Sequence, residues 1–222
     1  MKVKYNKLPL YSNPKIYIGN DIVSLNDINN IKSFKNQKYL RKFLNTNELL
    51  YLEHPLLKDF IPPLFWSCKE SAIKILLQKN YKYGFAPSLF EVKISQINTQ
   101  AGNILHQIIS TVNYGKYRMY CKSEISHEYI SSFACNKKTP LKDVICAIEK
   151  TNLKEHEKIS KQAYLILKKS ISSHYKISKT RIDIIKDDNG KPQLFYKDTT
   201  LNIPFSISHD EKFISFAFLK TN

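Results

Sequence analysis

Two stretches of this chain repeat one order of events. YGKYRMYCK at 114–122 is followed by EISHEYISSFA at 124–134, and NGKPQLFYK at 189–197 is followed by SISHDEKFISFAF at 206–218. Each copy runs through a Gly-Lys turn, an apolar strand, an Ile-Ser-His triplet and a closing aromatic strand. A strand–turn–strand unit with one apolar face must bury that face against a helix or a second sheet. Two such units therefore predict an α+β fold of two pseudo-symmetric halves, each an antiparallel sheet packed with a long helix. The expected halves are residues 1–138 and 139–222, forming one compact unit. The seam between them is the natural place for a ligand cleft.

Hydrophobic periodicity fills in the halves. KIYIGNDIVSL, from Lys15 to Leu25, reads as a strand buried on both faces, with Ser24 or Asn26 available to cap a following helix. Residues 37–53 have helical spacing broken at Asn45-Thr46. DFIPPLFWSCKESAIKILLQKN, Asp59 to Asn80, is the clearest helix, with an acidic cap, prolines in its first turn and apolar residues at Leu64, Cys68, Ala72, Ile75 and Leu76. Tyr83 to Pro87 reads as a loop. Strands are expected at Leu89–Ile97, Asn103–Val112, Tyr117–Lys122 and Glu128–Cys135. Beyond a seam at Asn136–Thr139, a short strand (Val144–Ile148) precedes a helix from Leu153 to Tyr175, opened by Asn152 and Glu155 at capping-box spacing. RIDIIK and KPQLFYK then flank a tight DDNG turn, and IPFSISH and KFISFAFL form a hairpin around Asp210-Glu211.

Charge narrows the partners. The chain has 35 Lys+Arg against 19 Asp+Glu, a net charge of +16, so its surface attracts polyanions. Arg41, Arg118 and Arg181 are the only arginines, and lysine lacks the planar fork used to read bases. A lysine-rich nucleic-acid-binding protein without catalysis is thus the alternative reading, not the leading one. No apolar stretch approaches 18 residues and no signal-peptide core is visible, so no membrane span is expected and the cytoplasm is the expected location. Cys68, Cys121, Cys135 and Cys146 have no metal-ligand spacing and read as reduced, buried thiols.

Four places stand out as candidate chemistry. Asp21 interrupts a run too apolar to welcome a carboxylate, which must be paired, hydrogen-bonded or metal-bound there. The plainer reading is a strand aspartate held by nearby backbone N–H groups. Gly19 before it allows another backbone or a ligand to approach closely. Glu70 and Lys74, four apart, share one helix face with Ser67; the plainer reading is a surface ion pair. Lys69 points about 100° away around the helix. His209 ends a strand at a turn and, taken alone, reads as an exposed hairpin histidine. Lys191 and Pro192 follow the Asn189-Gly190 turn.

The order of these pieces is more specific than any one of them. GNDIV, an arginine-containing RKFLNTNEL, WSCKESAIK, DDNGKP and SISH with its closing strand together resemble the 4′-phosphopantetheinyl transferase superfamily, from about Ile16 to Leu219 and most weakly between 85 and 150. Members are either small subunits assembled as trimers or single chains of two halves. This chain has the length of the second design but the motif order of the first, as though the two halves were swapped in sequence. The other reading is a small-type subunit enlarged by an insertion between about 85 and 150.

The resemblance implies transfer of the phosphopantetheine arm of coenzyme A to a carrier-protein serine, with release of 3′,5′-ADP. It implies Mg²⁺, with Mn²⁺ also possible, held by Asp21 and Glu70; such a hard cation takes carboxylate, phosphate and water oxygens. Val23 stands where some two-half members carry a further acid. The serine proton would pass to Glu70, the favoured base, or to a metal-bound water. Lys74 would reach the phosphates, His209 a coenzyme A phosphate, and Lys191 and Pro192 the adenine side. Lys158 and Lys161 are candidates for the 3′-phosphate, and Arg41 with its neighbouring lysines for an acidic acyl or peptidyl carrier protein. His127, in the degenerate copy, receives no ligand role. The two-half reading implies a monomer, with no membrane and no nucleic acid as partner.

Overall fold

A computed structural model describes residues 16–79, 86–100, 102–188 and 190–220. Strand β1 (Ile18–Ser24) leads into three short helices, α1 (Ile28–Lys35), α2 (Gln37–Phe43) and α3 (Thr46–Leu49), and then the long α4 (Ile61–Gln78). Four strands follow: β2 (Glu91–Thr99), β3 (Ile104–Tyr114), β4 (Tyr117–Ser126) and β5 (Tyr129–Cys135). The remainder is β6 (Val144–Lys150), α5 (His156–Tyr175), β7 (Ile182–Lys186), β8 (Pro192–Tyr196), β9 (Thr199–Thr200), β10 (Phe205–Asp210) and β11 (Phe213–Leu219). The strands form three antiparallel sheets, ordered β1-β5-β4-β3-β2, β10-β11-β6 and β7-β8-β9. The α+β class expected from patterning is what folds.

The pseudo-symmetry is partly visible in the pairing. The opening strand of each unit pairs antiparallel with its closing strand, β1 with β5 and β6 with β11. Just past each opening strand, the Leu25 N–H donates to Glu128 O at 2.8 Å and the Thr151 N–H donates to Lys212 O at 2.7 Å. Ser24 faces Tyr129 and Lys150 faces Phe213, so Tyr129 and Phe213 are equivalent positions. This register shifts the Ile-Ser-His echo by two residues. His127 falls in the β4–β5 turn, whereas His209 stays within β10, paired with Ile214.

A second difference separates the copies. After its Gly-Lys turn β4 runs unbroken to Ser126, but β8 stops at Tyr196. There the chain turns through Lys197 and Asp198 at φ of 49° and 63°, forms the short β9, and resumes at Phe205. The interruption leaves a cavity, described below.

Helix α4 buries Leu64, Phe65, Cys68, Ala72, Ile75 and Leu76 against the five-stranded sheet, where they meet Ile108, Val112, Ile125 and Ile130. Helix α5 sets Leu167, Ile171 and Tyr175 against Phe216 and Phe218. A third cluster, Ile18, Phe133, Ala217 and Leu219, joins the five-stranded sheet to the β10-β11-β6 sheet. No helix among the described residues is long and apolar enough to cross a membrane.

Several local expectations are corrected. Asp27, not Ser24 or Asn26, caps α1, accepting from the Asn29 N–H at 2.7 Å, because Ser24 is still strand. Helix α4 starts after Phe60 without a side-chain cap. Pro62 and Pro63, which lack the N–H a cap would satisfy, start it in place of Asp59. Helix α5 begins at His156 and no Asn152–Glu155 capping box forms; Thr151 Oγ accepts from the Leu153 N–H at 3.1 Å instead. A capping box does form at Asn45–Glu48. Cys68, Cys121 and Cys135 are buried free thiols, while Cys146 is exposed. Residues 83–85 of the expected loop, and Asn189 of the DDNG turn, lie outside the described residues.

Candidate active site

Strand β1 runs across α4, and Gly19 sets how closely. A Cβ at this position would stand 1.8 Å from the Ser71 carbonyl oxygen, so only glycine lets the strand lie on the helix backbone. Two residues on, Asp21 is almost wholly buried. Its Oδ1 accepts from the Ser208 hydroxyl at 2.9 Å and from Lys74 Nζ at 3.2 Å. Burial pushes the Asp21 carboxyl above the ordinary carboxylate range, against the opposing pull of Lys74 and the Ser208 hydroxyl.

Lys74 does not pair along its own helix with Glu70. Its ammonium donates to the Asn20 carbonyl at 2.7 Å as well as to Asp21. Glu70 is left facing an open cleft of about 350 Å³, lined also by Asp21, Trp66, Asn30, His209 and Asp210. Partial burial, and then the nearby Asp21 charge, push the Glu70 carboxyl up to about 7, with Lys74 working the other way. Lys69 does point elsewhere: its ammonium is buried against Glu48 Oε2 at 2.6 Å and also donates to the Phe43 carbonyl. Ser67 is fully buried.

The far wall of the cleft is β10. It belongs to a different sheet from β1, and the two strands meet through side chains instead of a backbone ladder. Alternate residues of a strand face one side, and here those residues are all polar. Ser206 Oγ accepts from the Asn20 N–H at 3.0 Å. Ser208 donates to Asp21, and Asp210 Oδ2 accepts from the Ser24 N–H at 2.7 Å and from Asn30 Nδ2 at 2.8 Å. His209 stands beside the His156 ring at 4.8 Å, at the start of α5. Partial burial, then His156 and Lys74, hold its imidazole below the usual histidine range. It is therefore not the exposed hairpin residue of the plainer reading.

Lys191 and Pro192 border a second cavity of about 440 Å³, opened by the break between β8 and β10 and walled by Tyr17, Gln78, Leu194 and Phe205. The preceding turn closes with the Gly190 N–H on Asp187 O at 2.8 Å, and Gly190 sits at φ +74°. The Lys191 ammonium donates to the Gln78 carbonyl at 2.7 Å, tying the hairpin to the end of α4. Ile18 lies three positions before Asp21 on β1, and its carbonyl accepts from Gln78 Nε2 at 2.6 Å. At strand rise that places the two cavities on the order of 10 Å apart along β1.

The remaining candidates lie outside both cavities. Lys158 and Lys161 are exposed on α5 and paired with Glu155 and Glu157, each at 2.6 Å. Arg41 is exposed on α2. His127 lines a separate groove of about 620 Å³ beside α1.

Three carboxylates, Asp21, Glu70 and Asp210, line one cleft, the Lys74 ammonium is bonded to the first of them, and the charge of Asp21 raises the Glu70 carboxyl. Both bonds to Asp21 fall on Oδ1. Such a donor set suits one hard divalent cation that takes its other oxygens from phosphate and water. Among the described residues there is no group of three or more His, Cys, Asp or Glu that would cage a metal by itself. Reading the sequence motif by motif passes over Ser206, Ser208, Asp210 and Asn30. For Ser206, Ser208 and Asp210 the signal is the period-2 polar alternation of SISHD; Asn30 has no such mark.

A family model described as 4′-phosphopantetheinyl transferase superfamily matches residues 17–136, from the threshold of β1 to the end of β5. No curated protein matches the chain.

Proposed function

The chain belongs to the 4′-phosphopantetheinyl transferase superfamily, and on that premise we propose that it moves the phosphopantetheine arm of coenzyme A to a serine of an acidic apo acyl or peptidyl carrier protein. The observation that carries this reading is that Asp21, Glu70 and His209 line one cleft, with Lys74 bonded to Asp21. Asp21 and Glu70 would hold Mg²⁺, or Mn²⁺, which neutralises pyrophosphate charge when bound.

Within this reading the residues divide the work. Glu70 accepts the serine proton as the hydroxyl oxygen bonds to the phosphorus that carries pantetheine. The bond from that phosphorus to the bridging oxygen breaks, and 3′,5′-ADP leaves with the oxygen. Lys74 offsets charge that grows on the leaving phosphate. His209 contacts a coenzyme A phosphate, and the cavity beside Lys191 and Pro192 takes the adenine. A separation of about 10 Å along β1 suits the stretch between pyrophosphate and base.

The catalytic unit is then a monomer of two halves, 1–138 and 139–222, acting in the cytoplasm. Its positive charge speeds encounter with an acidic carrier, and exposed Arg41 is the proposed contact. The test is mass spectrometry of several apo carrier proteins incubated with coenzyme A and Mg²⁺. One phosphopantetheine should appear on the carrier, and the Asp21→Ala variant should add none. A panel of carriers left unmodified by the wild type would overturn the reading.

A further inference from the structure

Asp21 is held by the other end of the chain. Its two protein bonds both end on Oδ1, from Lys74 and from Ser208. Among the described residues no bond is made to Oδ2, and the residue lines the cleft. One oxygen is thus committed to the protein and the other is left for a ligand. Lys74 reaches Oδ1 on a flexible stem, whereas Ser208 reaches it from a strand. Its neighbours two residues away on each side, Ser206 and Asp210, are themselves fastened to the β1 backbone at Asn20 and Ser24.

We propose that Ser208 is a positioning residue: its hydroxyl fixes the rotation of the Asp21 carboxylate so that Oδ2, and not Oδ1, faces the cleft ready to bind a divalent cation. The inference rests on the reading of Asp21 as a metal carboxylate. A freely turning carboxylate would have to be ordered at each binding event. Partners that orient a ligand from behind in this way typically contribute about 10–100-fold to metal affinity. The half that carries SISHD thereby completes the metal site of the half that carries GNDIV.

Threonine and valine have nearly the same shape, so Ser208→Thr and Ser208→Val differ mainly in the hydroxyl. Mn²⁺ binding to the full chain, with coenzyme A present, can be followed by the paramagnetic resonance of free Mn²⁺, and thermal melts record whether each variant is folded. Ser208→Val should bind Mn²⁺ about tenfold or more weakly, and Ser208→Thr should bind much as the wild type. In transfer assays the metal concentration for half activity should rise in Ser208→Val, with kcat largely recovered at saturating metal. Equal Mn²⁺ affinity in the two variants would overturn the assignment, as would a wild type that binds no Mn²⁺. If Ser208→Val does not fold, Ser208→Ala takes its place in the comparison. A wild type that binds Mn²⁺ in this hydroxyl-dependent way but modifies no carrier would sink the proposed reaction and leave the positioning role standing.

Discussion

The Lys74 ammonium lies 3.2 Å from Asp21 Oδ1 and 2.7 Å from the Asn20 carbonyl, bridging helix α4 to strand β1. Helical spacing alone would have given Lys74 to Glu70. The bridge instead leaves Glu70 with no ion pair among the described residues and fixes a cation on Asp21. Lys74→Met keeps most of the stem but removes the charge. It should lower transfer by ~100-fold or more, the usual effect of losing a group that stabilises developing charge. Carrier modification followed by mass spectrometry reads the loss. A rate within a few-fold of wild type would show that Lys74 only fastens the strand.

The contact of Gly19 with the Ser71 carbonyl makes a different prediction, about folding. Gly19→Ala places a carbon 1.8 Å from a backbone oxygen, and neither the strand nor the helix is free to yield cheaply. Overpacking of this kind costs about 3 kcal/mol, so Tm should fall by roughly 6–12 °C for a chain of this size. Thermal unfolding by circular dichroism checks it.

The pH dependence follows from Glu70, whose carboxyl is pushed up to about 7 by burial and by Asp21. The folded chain therefore holds this proton more tightly than the unfolded chain does. Its contribution to stability is full below the ordinary carboxylate range and is lost as pH rises through about 7. Cation binding runs the other way, because the metal must displace the proton. Mn²⁺ affinity should rise between pH 6 and 7.5 and then level off, with Asp21, also raised by burial, adding in the same direction. Glu70→Gln should bind Mn²⁺ more weakly and flatten the rise. Titrations at three pH values decide it.

What could be read in the sequence, and what could not, follows the range of the forces involved. Asp21 was legible because a carboxylate in an apolar strand breaks a local pattern, and α4 because its apolar stripe spans five turns. The two-residue offset between His127 and His209 was not legible, since hairpin register is set by turn geometry and backbone pairing and not by the identity of the triplet. The side-chain bonds from Ser206 and Ser208 to β1 join residues 186 and 187 positions apart. No local window contains both partners. The Asp59 cap failed for a local reason that was present in the text: prolines in the first turn had already removed a donor it would have served.

Lys69 shows the same limit from inside the core. The helical wheel gave its direction, but not that residues 43–48 would cover it. Its ammonium, fully buried, meets Glu48 at 2.6 Å, and the other Glu48 oxygen accepts from the Val92 N–H at 2.7 Å. The pair thus pins the α2–α3 segment and strand β2 to α4. Removing one partner strands a buried charge, so Lys69→Met or Glu48→Leu alone should each cost about 3–5 kcal/mol. Because the pair is shielded from solvent, added salt should change these losses little. The double variant, with both charges gone, should recover much of the stability, and urea unfolding of the four proteins measures the coupling. Losses that simply add would show that the two side chains act as separate packing elements and not as one ionic clasp.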